Sequence, residues 1–152
     1  LEPFLGKNIA PIEGMRARLR ELMQAEGLTY RDRTWISSSR KAQELAKLGE
    51  RQNRPSIHRA LFQAYFSEGE DIGDLDALER IAGKVGIADA RRSLEAGETA
   101  KDVDDDWSFA RRLGVTGVPT YLCDGRAIVG AQAYPLLERL VQVAGAEPRV
   151  VS

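Results

Sequence analysis

The chain has one cysteine, Cys123, and one histidine, His58, among 152 residues. A lone thiol closes no intrachain disulfide and forms no Cys-x-x-Cys couple, so this stretch of polypeptide cannot carry dithiol redox chemistry by itself. One histidine and one cysteine also make no zinc-spaced ligand set, and the sequence has neither a Walker loop nor a dinucleotide glycine fingerprint. No apolar run approaches the roughly 20 residues needed to cross a bilayer. Residues 1–11 lack the basic start and long apolar middle of an export signal, so a cytoplasmic location is expected. A net charge of −1 gives no general attraction to nucleic acid or an anionic membrane, and neither is expected as a partner. Repeats and low-complexity linkers are also missing.

What is present is an ordinary globular balance, 43% hydrophobic and 30% charged, in a chain of single-domain size. Such a length buries about two-thirds of its unfolded surface. Most of the patterning is helical. A first helix is expected from Gly14, with Met15, Leu19, Leu22 and Met23 on one face, ending at Gly27. Residues 30–36, with Tyr30 and Trp35, show no periodicity and read as an irregular connection. Ser37, Ser38 and Ser39 are N-cap candidates for a helix to Gln52 that buries Ala42, Leu45, Ala46 and Leu48. Pro55 suits the first turn of the next helix, whose inner face is Ile57, Ala60, Leu61, Ala64 and Tyr65. After a break at residues 69–73, Asp74 is placed to cap a helix buried through Leu75, Leu78, Ile81, Ala82 and Val85 and closed by Gly86. A short helix over residues 88–96 ends at Gly97. Thr99 is placed to cap a longer one to Leu113, with Trp107 on its buried face, acidic residues early and Arg111 and Arg112 in its last turn. Tyr134-Pro135 opens a terminal helix with Leu137, Leu140, Val141 and Ala144 on one side.

Between the last two helices, residues 113–132 read L-G-V-T-G-V-P-T-Y-L-C-D-G-R-A-I-V-G-A-Q. Gly114 can end the preceding helix in a left-handed conformation, and Asp124-Gly125 is the dipeptide a tight hairpin turn requires. Val118-Pro119 stands at the entrance of the first strand, where proline has no N–H to donate and restricts the residue before it. Residues 113–121 resemble the cis-proline loop of thioredoxin-fold proteins, in particular DsbA-like thiol-disulfide oxidoreductases of the FrnE type. Residues 60–73, A-L-F-Q-A-Y-F-S-E-G-E-D-I-G, are similar to a segment of that family's helical domain. Residues 124–132 resemble its returning strand, and Pro3-Phe4 the end of its second strand.

The resemblance implies an α/β, thioredoxin-like fold with a large inserted helical domain. Residues 1–13 would end the second strand and link onward, residues 14–98 would form the insertion, and residues 99–152 would complete the thioredoxin part. It also implies disulfide exchange with protein or peptide thiols. The family opens with a strand and a Cys-x-x-Cys helix, and this sequence has neither. The chain is therefore expected to be redox-inactive, with no catalytic residue of its own. By the same resemblance Thr116, Gly117, Val118 and Pro119 form the substrate-binding half of the site, with the Val118-Pro119 bond cis and no cofactor. The alternatives are a glutathione-dependent relative of the kappa-class transferases and 2-hydroxychromene-2-carboxylate isomerases, with glutathione as cofactor, or a non-catalytic peptide-binding module. The missing central strand is expected to leave an open sheet edge, filled either by an upstream segment or by dimerisation or strand exchange.

Other residues invite chemistry less. His58 lies away from the apolar face of its helix and is expected on the surface. Residues 102–106 hold four aspartates but lack the glycine and closing glutamate of an EF-hand loop. Cys123, late in an apolar strand, is expected to be a small buried residue rather than a reactive thiol.

Overall fold

The computed structural model describes residues 10–33 and 35–147, so the reading of Pro3-Phe4 as a strand end lies outside the described residues. The elements run α1 (Ala10–Ala25), α2 (Arg40–Arg51), α3 (Ser56–Phe62), a π-helical segment (Gln63–Glu68), α4 (Leu75–Lys84), α5 (Ala90–Ala96), α6 (Ala100–Arg112), β1 (Thr120–Cys123), β2 (Arg126–Val129) and α7 (Tyr134–Val143). The described chain is thus mostly helical, and its sheet is a single two-stranded hairpin, a smaller strand content than the α/β expectation. It divides into two compact units, the first ending at Asp104 and the second starting at Asp105, inside α6.

The first unit is built on α2, which packs against α3, α4 and α5. Leu45, Ile57, Leu78, Ile81 and Leu94 are the buried centre of its core, with Ala42, Leu48, Leu61 and Ala64 around them. Removing each large aliphatic side chain from water stabilises the fold by about 1.5–3 kcal/mol. Gly49 lets α3 approach closely, because a Cβ there would lie 2.5 Å from Ile57 Cγ2. Asp74 caps α4 as expected, its Oδ2 accepting from the Ala77 N–H at 2.9 Å, an interaction of about 1 kcal/mol.

Several expectations need correction. α1 starts at Ala10 rather than Gly14, and its apolar face is not buried: Met15 is 73% and Leu22 36% exposed, with Leu19 only half-buried. No described element packs extensively against α1, so periodicity there marks a face without an extensive partner among the described residues. Trp107 is 43% exposed, because the burial of α6 is confined to Val103, one turn earlier. Ser39 precedes α2 but its side chain caps nothing; its Oγ accepts from Gln43 Nε2 instead. The Thr99 hydroxyl is used across the core, donating to the Glu44 carbonyl at 2.7 Å. α5 begins at Ala90 rather than residue 88, after Asp89 in a left-handed conformation (φ 52°).

The helix read as running on through Tyr65 instead widens at Gln63 into a π turn. Carbonyls that a π turn displaces from the α ladder need other donors, and arginines of the connection between α1 and α2 provide them. Arg33 Nη1 donates to the Tyr65 carbonyl, the Arg31 N–H to Phe66 O at 2.8 Å and Arg31 Nη1 to Glu68 O at 3.0 Å. The Arg33 guanidinium also lies 3.4 Å from the Tyr65 ring centroid.

In the second unit, β1 and β2 pair antiparallel with Thr120 opposite Val129 and Cys123 opposite Arg126. Asp124 (φ 47°) and Gly125 (φ 71°) form the two-residue turn, whose left-handed conformations match the strand twist. α7 packs on both strands, and its Leu140 is the one buried residue among the described residues 105–147.

Candidate functional site

The loop between α6 and β1 is set by how α6 ends. Gly114 adopts φ 73°, its N–H donates to Arg111 O at 3.0 Å, and the Val115 N–H donates to Ala110 O at 3.0 Å. This paired closure satisfies the last carbonyls and turns the chain out of the helix. The Val118-Pro119 bond is cis, as expected. Thr116 and Pro119 are exposed, Gly117 is half-buried, and Val118 is 88% exposed. Gly117 runs close to β2, since a Cβ on it would lie 3.3 Å from Val129 Cγ1.

Two hydrogen bonds hold the loop. The Gly130 N–H donates to the Pro119 carbonyl at 2.8 Å, and Thr120 Oγ1 donates to the Gly117 carbonyl at 2.6 Å. Of the three carbonyls at residues 117–119, that of Val118 alone has no partner among the described residues. The Gly130 bond also extends the ladder by one pair. Hydrogen-bonded pairs alternate along an antiparallel ribbon, so they fall at Pro119 with Gly130, Tyr121 with Ile128, and Cys123 with Arg126. The N–H and C=O groups of Thr120 and Leu122 then point to the other edge of β1, where no strand pairs among the described residues. The edge carries exposed apolar side chains, Tyr121 at 38% and Leu122 at 45%.

The structure therefore places Thr116, Gly117, Val118 and Pro119 in one mostly exposed loop at the head of a strand edge that no described strand pairs. Sequence reasoning missed the residues that brace it, Thr120 and Gly130. Counting back from the Asp124-Gly125 turn would have found Gly130 opposite Pro119.

The remaining candidates are mostly absorbed by ion pairs. His58 is on the surface, and its Nε2 lies 3.2 Å from Glu50 Oε1. Asp104 bonds Arg40 at 2.6 Å and Asp102 bonds Arg51 at 2.7 Å. Asp104, and then Glu44, raise the pKa of Arg40 above its ordinary value. Cys123 is a free thiol and half-buried, not fully buried as expected. A cleft along α4 and α5 is lined by Glu79, Ile87, Arg91 and Arg92, but Arg91 already binds Glu79, Asp76 and Glu95. Among the described residues no group of acidic, histidine or cysteine side chains is placed to hold a metal ion. Among them, too, no helix is long and apolar enough to cross a membrane.

Comparison with known proteins bears on this loop and on the whole chain. Over 85 residues the chain is 32% identical to the uncharacterized protein YwbO of Bacillus subtilis (strain 168), a match covering 53% of this chain and 42% of that protein. The chain thus spans less than half of that relative's length. A family model described as a DSBA-like thioredoxin domain matches residues 5–142. A match over nearly the whole length, on a chain with a helix-loop-hairpin of this geometry, makes the chain a member of the DSBA-like thioredoxin domain family.

Proposed function

We propose that this chain supplies the peptide-binding half of a thiol-disulfide oxidoreductase site, holding an extended segment of a substrate protein while the exchange chemistry is done by thiols it does not itself contain. Thiol-disulfide exchange needs a thiolate that attacks one sulfur of a disulfide and expels the other, and a second thiol to resolve the mixed disulfide. With Cys123 as its single cysteine, the chain has no such pair. Residues 14–98 act in this reading as the inserted helical domain, and residues 99–152 as the closing part of the thioredoxin fold.

The observation that carries the reading is the state of Val118. It is 88% exposed at the head of β1, and the carbonyls on either side of it are already bonded. Its own N–H and C=O are left for an incoming strand. Strand addition takes its affinity from main-chain hydrogen bonds, so many sequences can bind provided they are extended. This suits an enzyme acting on unfolded or partly folded proteins.

The test is a titration of the 15N-labelled chain with an acetylated hexapeptide of alternating threonine and valine, tailed with lysines for solubility. Amide shifts are expected at Gly117, Val118 and Thr120, and the backbone N-methylated peptide should produce none. Shifts absent from this loop at millimolar peptide, or equal binding of the N-methylated peptide, would overturn the reading.

A further inference from the structure

We infer that Thr120 is a positioning residue whose hydroxyl aims the Val118 N–H at a bound peptide, an inference that rests on the peptide-binding reading of this loop. The Gly117 carbonyl and the Val118 N–H belong to the same peptide unit, which is planar, so fixing the direction of one fixes the other. Thr120 Oγ1 donates to that carbonyl at 2.6 Å from a half-buried position. The carbonyl is drawn toward the strand, and the Val118 N–H is turned to point away from it.

A second bond does the same for the next fixed plane. The Gly130 N–H holds the Pro119 carbonyl at 2.8 Å, which sets the Thr120 N–H toward the open edge of β1. Two donors, the Val118 N–H and the Thr120 N–H, are therefore oriented before any ligand arrives. Gly117 makes the Thr120 contact necessary. With no side chain, it has the widest backbone freedom of any residue, and its peptide plane would otherwise rotate. Preorganisation of this kind raises affinity by lowering the ordering cost of binding.

The test compares Thr120→Val, which keeps the branched shape and removes the hydroxyl, with Thr120→Ser, which keeps the hydroxyl and removes the methyl. The probe is the same lysine-tailed hexapeptide, and amides of Tyr121 and Ile128 report that the hairpin is intact. Thr120→Val should weaken binding by about tenfold, the worth of one good hydrogen bond, and Thr120→Ser should stay within about twofold of the parent. In the free chain the residual dipolar coupling of the Val118 N–H should also change in Thr120→Val and be kept in Thr120→Ser, a local reorientation that loss of packing elsewhere does not produce. If the parent itself fails to bind, the peptide-binding reading falls and this inference with it. If the parent binds and Thr120→Val binds equally well, the inference alone is overturned. Equal weakening by Ser and Val would assign the effect to shape and overturn it too.

Discussion

Glu44 is the residue whose surroundings depart furthest from what its chemistry suggests. It is 2% exposed, yet on α2 it falls among charged neighbours and reads in the sequence as one more solvated position. Its carboxylate is bound by Arg40 at 3.0 Å and Lys41 at 2.8 Å, and its backbone carbonyl takes the Thr99 hydroxyl. Arg40 also reaches the Ala100 carbonyl, and Lys41 the Leu94 carbonyl, so the cluster ties α2 to α5 and to the start of α6. Glu44→Ala should destabilise the chain by about 1–3 kcal/mol, because two charge-assisted hydrogen bonds to a buried carboxylate are lost. Glu50→Ala, which removes a solvent-exposed carboxylate from its contacts with Lys47 and His58, should cost less than about 1 kcal/mol. Urea titrations of both variants check this, and equal losses would mean that Glu44 acts as a surface charge.

Among the elements, α3 and the π turn that follows keep the burial their sequence spacing predicts, although the helix widens at Gln63. Ile57, Leu61 and Ala64 are buried as their spacing requires, and Leu61→Ala should cost about 2–5 kcal/mol through lost burial and the cavity left behind. A loss below about 0.5 kcal/mol in a denaturant titration would show that this face carries no core packing. The caps and turns that use one residue's own chemistry were equally legible: Asp74, Gly86, Gly97, Gly114 and the Asp124-Gly125 pair each stand where the local pattern puts them. So was the Val-Pro step that gives the site its loop. What could not be read needed knowledge of a neighbour. The apolar stripe of α1 is as regular as that of α3 but has no extensive partner among the described residues, and the π turn after Phe62 depends on Arg31 and Arg33 arriving from another segment. The Thr120 brace was hidden for a related reason, since a hydroxyl three residues from a carbonyl is common and only the loop's path makes it a contact.

For the molecule as a whole, the division at Asp104 and Asp105 separates two unequal stores of burial. The first unit contains an extended aliphatic core, whereas the described part of the second buries only Leu140. Units so different in buried area should not open together, and the second should lose its structure at lower denaturant. The placement of the two indoles makes this measurable. Trp35 belongs to the first unit and Trp107 to the second, so each unit has its own fluorophore. Emission recorded from the parent chain is then a sum of two signals, and a single sigmoid fitted to it would describe neither unit. Trp107→Phe should leave a curve with the later midpoint and Trp35→Phe one with the earlier midpoint. Coincident curves would show that α6 couples the units into one cooperative transition.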